Sequence, residues 1–170
     1  MKYDPDFNHR QSIRLNGYDY SISGAYFITI CTHDREHIFG DIFNETMELN
    51  IFGDIVRLHW QQLAQHHPNI IVDESIVMPN HLHGIIILES SIDYKKSISE
   101  IIRGFKTFSA KAINKERGLR SVPVWQRNYY DRIIRNELEL DRVRQYIINN
   151  PRNWDADKNN QNQFSADTDL

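Results

Sequence analysis

Cysteine is nearly absent: Cys31 is the only one in 170 residues. That excludes an internal disulfide framework and makes a reducing, cytoplasmic setting the expectation. Long apolar runs are missing as well. No stretch approaches the roughly 20 residues that a membrane-spanning helix needs, and the opening MKYDPDFNHRQS lacks an apolar core like that of a secretory signal. No repeat or linker divides the chain, so its length fits one compact domain with tails.

Positive charge is also short in the total, which comes to -3. Taken alone, this argues mildly against nucleic acid, whose phosphates draw basic proteins. The distribution reverses the argument. Between Ile101 and Arg135 the basic residues Arg103, Lys106, Lys111, Lys115, Arg117, Arg120, Arg127, Arg132 and Arg135 stand against Glu116 and Asp131 alone. The end of the chain holds Asp155, Asp157, Asp167 and Asp169 against Arg152 and Lys158, which masks the basic segment in the sum. On charge alone, a solvated helix face accounts for the segment as well as a phosphate-binding one does.

Residues 1–24 are polar and broken by Pro5, Gly17 and Gly24, and read as an N-terminal arm. The run Tyr26 to Thr32 is aromatic and β-branched and predicts a strand. An excursion like a hairpin follows over Ile38 to Leu49. Ile51, Ile55, Leu58 and Leu63 recur at near-helical spacing in Asn50 to His67, a helix that stops at Pro68. Ile70 to Val77 and His81 to Leu88 are β-rich runs joined by the turn Met78-Pro79-Asn80. Ser97 to Lys115 predicts an amphipathic, basic helix. Val122 to Trp125 and Tyr129 to Ile134 predict a strand with a kinked entrance, and Glu137 to Asn149 a last helix ended by Pro151. This order predicts an α+β fold, a ferredoxin-like split βαβ plait with an additional C-terminal helix, over residues 25–154. The polar residues 155–170 read as a disordered tail.

Two separated signals carry the chemistry. His81 and His83 flank Leu82 in an apolar strand, so both imidazoles emerge on one face and can grip one ion while Leu82 points to the core. Gly84 allows close approach of a ligand or backbone. Tyr146 and Asn150 are four apart on a helix and can present a hydroxyl and an amide oxygen to one place. Two imidazoles plus an amide oxygen leave coordination positions open. The mixed donors suit magnesium or manganese (Mg2+ or Mn2+), and zinc fits them too. A phenol with a pKa near 10 is a poor nucleophile unless a cation promotes loss of its proton, and the same ion stabilises charge on a pentacoordinate phosphorus. The plain alternatives stay open at this point: Tyr146 as packing at an amphipathic edge, Asn150 before Pro151 as a helix C-cap.

The stretches VMPNHLHGIIIL, VPVWQRNYYDRIIRNELEL and YIINNP resemble the single-tyrosine HUH transposases, above all the REP-associated tyrosine transposases, over about Tyr26 to Trp154. The resemblance implies the plait, His81 and His83 as the histidine-hydrophobe-histidine metal pair, Asn150 as third ligand and Tyr146 as nucleophile. It also implies a partner, single-stranded DNA bearing a hairpin such as a repetitive extragenic palindrome. The strand is cut with the 5′ phosphate kept on tyrosine, and the conserved bond energy makes a nucleotide cofactor unnecessary. One departure stands out: relatives often carry histidine after the aspartate of YYDRIIR, where this chain has Arg132, which would grip phosphate instead. Whether such a chain works alone or as a homodimer with exchanged last helices is left open.

Arg103, Lys106, Lys111 and Lys115, with Arg127, Arg132 and Arg135, are the expected phosphate contacts, which position DNA without reading bases. Tyr129 and Tyr130 must point to opposite faces of their strand and are candidates for core or base stacking, as is Trp125. His33, His37, His59, His66 and His67 receive no chemistry, and Cys31 reads as a small core residue. Two other functions compete with cleavage by a transposase: a non-cleaving hairpin-DNA-binding protein or repressor on the same plait, and a replication or conjugation nickase.

Overall fold

Aromatic and β-branched residues dominate the strands of the computed structural model, which describes residues 23–89 and 96–160. In chain order these are β1 (Gly24–Cys31), β2 (Gly40–Phe43), β3 (Thr46–Leu49), α1 (Ile51–Gln61), α2 (Leu63–His66), β4 (Ile70–Met78), β5 (His81–Leu88), α3 (Ile98–Glu116), β6 (Tyr130–Ile134) and α4 (Glu137–Ile148). Turns of 3-10 helix add His33–Arg35 and Pro151–Ala156. Most of the arm expected at 1–24 lies outside the described residues, and Gly24 already opens β1. Among the described residues no helix is long and apolar enough to cross a membrane.

The main sheet has the order β4-β5-β1-β6 with every neighbouring pair antiparallel. β1 and β4 therefore run parallel with β5 between them, the split βαβ arrangement expected. β2 and β3 form the separate hairpin. Alternation along the strands sorts side chains to two faces. Tyr26, Ile28 and Ile30 of β1 join Leu82, Ile86 and Leu88 of β5 beneath α1 and α3, where Trp60, Ile101, Ile102 and Phe105 close the larger core. On the opposite face Ile85 and Ile134 meet Leu140, Val143 and Ile147 of α4. Each buried aliphatic side chain contributes about 1.5–3 kcal/mol.

The helices start where the sequence offers caps. Asn50 Oδ1 accepts from the Phe52 and Gly53 N–H groups at 2.9 and 3.1 Å. Ser97 and Glu100 form a reciprocal capping box at α3. Asn136 Oδ1 accepts from Glu139 N–H at 2.9 Å to start α4.

Three expectations are corrected. A Cβ on Gly84 would lie 2.4 Å from the Trp60 indole, so this glycine admits α1 on the core face and not a ligand. Val122 to Trp125 is no strand: Trp125 makes one isolated bridge to Thr32, and the ladder begins at Tyr130. As expected, α4 ends before Pro151, which then opens a separate 3-10 turn where its missing N–H costs nothing. The segment from 155 is not a disordered tail as far as Asn160, because Asp157, Asn159 and Asn160 are buried. The tail's remainder, 161–170, lies outside the described residues.

Candidate active site

Antiparallel register places Cys31 opposite His81 and Thr29 opposite His83, on the sheet face covered by α4. Both histidines are buried, their ring centroids 4.5 Å apart. Their proton positions follow from their partners. Asn80 Nδ2 donates to the carbonyls of Arg35 at 3.1 Å and Asn159 at 2.7 Å, so its Oδ1 is the atom that meets His81 Nδ1 at 2.9 Å. An amide oxygen only accepts; hence Nδ1 carries the proton and His81 Nε2 keeps a free lone pair. His83 Nδ1 lies 2.8 Å from Thr29 Oγ1. In the matching tautomer its Nε2 faces Tyr146 Oη at 3.4 Å.

Burial holds both rings neutral. It lowers His81 to about 3, with the nearby Arg35 cation acting in the same direction. His83 is held well below the ordinary imidazole value by burial and by His81. Neutral imidazoles are what a metal binds. Tyr146 lies at the edge of the α4 face that meets the sheet, 43% exposed, with its ring edge-on to Phe27 at 5.9 Å. Burial of its hydroxyl and the Asp157 carboxylate push the phenol above its usual value, against a smaller opposite pull from Asn150. Without a cation, this phenol stays protonated.

Asn150 is not a C-cap. The cap of α4 is Asn149, and the Asn150 side chain is buried in the site with Nδ2 donating to Asp157 Oδ2 at 3.1 Å. Its Oδ1, like His81 Nε2, is a buried polar atom with no hydrogen-bond partner. Two such orphans cost about 1–3 kcal/mol each unless something joins them. One ligand atom each from His81, His83 and Asp157 lie within 4.8 Å of one another, close to the roughly 4 Å that a shared ion spans at about 2.1 Å per bond. The donor set, two imidazole nitrogens with carboxylate and amide oxygens, fits a divalent cation.

Asp157 is the residue that sequence reasoning missed, and no local pattern marks it. It is delivered by a polar knot. Its Oδ1 accepts from Asn159 N–H at 2.7 Å, Asn159 Oδ1 accepts from Arg35 Nη1 at 2.8 Å, and Asn160 Nδ2 donates to the Trp154 carbonyl at 3.1 Å. The Trp154 indole meanwhile stacks near His81 at 5.8 Å.

The basic residues divide. Arg103, Lys111, Lys115 and Arg127 line an open groove of about 1270 Å³ between α3 and the 119–129 loop. It lies on the α1 and α3 side of the sheet, away from the histidines. Lys106 faces it too, but its ammonium donates to the carbonyls of Gln126, Arg127 and Asn128 at 2.6, 3.0 and 3.2 Å, and burial lowers it to about 8. It is a loop tether and not a free phosphate contact. Arg132 lies outside the groove, on the α4 face, paired with Glu139 at 2.9 Å. Arg135 stands just before the α4 cap, its backbone N–H donating to the Glu139 carboxylate at 2.9 Å.

Several known proteins are similar to this chain. A protein of Haemophilus influenzae without an assigned role is 37% identical over 175 residues, covering 92% of this chain and 96% of its own. A second from that bacterium, named "Putative REP-associated tyrosine transposase", is 28% identical over 139 residues, covering 78% and 73%. Among solved structures, a REP-associated tyrosine transposase bound to a REP hairpin superposes with a TM-score of 0.59 at 21% identity, over 83% of this chain and 74% of that one. The family described as "Transposase IS200 like" matches residues 21–150. With a plait, a buried histidine pair and a facing helix tyrosine inside that span, the chain belongs to the IS200-like transposase family.

Proposed function

We propose that the protein is a metal-dependent transposase and single-strand endonuclease that cuts and rejoins single-stranded or hairpin DNA through a 5′-phosphotyrosine intermediate. One observation carries this reading: Tyr146 Oη stands 3.4 Å from the buried His83 Nε2. Beside it, His81 Nε2 and Asn150 Oδ1 converge without partners of their own.

His81 and His83 through Nε2, Asn150 through Oδ1 and Asp157 through its carboxylate would hold Mg2+ or Mn2+. Bound there, the ion would supply positive charge that polarises the scissile phosphate and favours the phenolate. The chain's own residues do the rest. Asn80 and Thr29 orient the two imidazoles through Nδ1 and leave both Nε2 atoms facing the site. Phe27 holds the Tyr146 ring edge-on, and the depressed histidine values keep the rings from competing as cations. Tyr146 Oη attacks phosphorus, the 3′ oxygen leaves as a hydroxyl, and the phosphotyrosine that forms keeps the energy of the broken diester. A second 3′ hydroxyl reverses the step and rejoins the strand. The basic groove along α3 would hold the hairpin stem by its phosphates, a partner suggested by the relative solved with a REP hairpin.

The test is denaturing electrophoresis and mass analysis of the protein mixed with labelled hairpin DNA and manganese or magnesium, beside Tyr146→Phe. An adduct that maps to Tyr146, vanishes in the variant and needs the cation is expected. Tight binding with no adduct across varied hairpins overturns the reading in favour of a hairpin-binding repressor.

A further inference from the structure

The face that carries His83 continues across two strands to the outer strand β6. Register pairs His83 with Thr29 and Thr29 with Tyr130, so the three side chains project in one row on one face. Neighbouring strands lie about 4.8 Å apart, which sets Tyr130 roughly 10 Å from His83. The next row runs Ile85, Phe27 and Arg132. Tyr130 and Arg132 thus border the outer side of the Tyr146 centre.

Only one aromatic of this segment is offered to solvent. Trp125 is buried and its Nε1–H donates to Ser109 Oγ at 3.0 Å. Tyr129 turns to the opposite face and packs against the larger core. Tyr130 is 57% exposed, with Lys158 Nζ 5.8 Å from its ring centroid. The exposed Arg132 lies one row away, its guanidinium on Glu139. An exposed ring with one cation beside it and another one row away, next to the proposed phosphodiester site, is an arrangement that takes unpaired nucleotides: the base stacks and the phosphate meets the cations.

We propose that Tyr130 is a stacking platform for an unpaired base next to the scissile phosphate, with Lys158 and Arg132 holding that nucleotide's phosphate. This rests on the proposed cleavage of DNA and deepens it by naming where the single strand crosses the protein. Bases paired in a stem are stacked on one another and cannot use such a ring without being unstacked. The platform therefore favours a single strand at the cut.

The test uses hairpin DNA carrying 2-aminopurine in turn at each nucleotide flanking the cleaved bond, bound to full-length Tyr146→Phe protein. Quenching on binding is expected at one flanking position, retained when Tyr130→Phe is added and lost with Tyr130→Leu. In the chain with Tyr146 intact, Tyr130→Leu should raise KM for cleavage roughly ten- to a hundredfold with little change in kcat. Tyr130→Phe should behave as the parent protein. Both substitutions replace a solvent-facing side chain, so the unfolding midpoint should hold. Quenching that survives Tyr130→Leu, or a loss in Tyr130→Phe as large as in Tyr130→Leu, overturns the platform. A protein that forms the Tyr146 adduct yet ignores Tyr130→Leu sinks the platform alone. If no adduct forms, the cleavage reading falls and the platform with it.

Discussion

At the scale of single residues, burial decides the chemistry. His81 titrates near 3 in the folded chain, against about 6.5 when unfolded. Above about pH 6.5 both states carry a neutral ring and the group has no effect on stability. Below it the unfolded chain takes up a proton that the folded one refuses, so stability falls as pH drops, by about 1.4 kcal/mol per unit, until roughly pH 3. His83 is shifted the same way. Metal-stripped protein should accordingly lose thermal stability between pH 7 and pH 5, and His81→Gln should show a shallower dependence. An identical slope in the variant would mean that His81 is not its source. The histidine pair was legible because strand alternation is local and spacing alone sets the shared face. Asp157 was not, since its place depends on Asn159, which accepts hydrogen bonds from Arg35 and Asn80, 124 and 79 positions away in the chain.

At the scale of elements, the placement of α4 governs the proposed nucleophile. Arg144, two residues before Tyr146, donates Nε and Nη2 to Asp73 at 2.9 and 2.6 Å and Nη1 to Asp141 at 3.0 Å. Asp73 stands in the irregularity of β4 between Val72 and Ser75, which aims it at α4. The bidentate pair ties the helix to the sheet that carries the histidines. Asp73→Ala should slow formation of the Tyr146 adduct roughly tenfold or more at unchanged DNA affinity, because small displacements of a nucleophile cost rate steeply. Single-turnover kinetics would check this, and an unchanged rate would confine the pair to stability. The helix was readable from its apolar period, the clamp was not. Its partners are distant in sequence.

At the scale of the whole molecule, the groove and the proposed catalytic centre occupy different sides of one sheet. In the proposed reaction, a hairpin stem held along α3 would send its single strand around an edge of the sheet to reach Tyr146. Salt dependence separates the free cations from the tethered one. Arg127→Ala should lower affinity across sequences and reduce the salt slope of DNA binding by about 1. Lys106→Ala should leave the slope nearly intact and destabilise the 126–128 loop, since its ammonium is already held by three carbonyls. A slope change in Lys106→Ala equal to that in Arg127→Ala would show that the lysine reaches phosphate after all.

The order of strands and helices, the shared face of His81 and His83, the pairing of Tyr146 with Asn150 and the opposed directions of Tyr129 and Tyr130 were all determined by the sequence itself. Each follows from a period of two or of 3.6 residues and needs no knowledge of distant chain. What joins them was decided only by the tertiary structure. It folded residues 155–160 back onto the histidines, turned Lys106 inward, filled the space at Gly84 with Trp60 and gave Tyr130 the solvent. Those outcomes depend on which surfaces meet, and burial and long-range hydrogen bonds set that only once the sheet is formed.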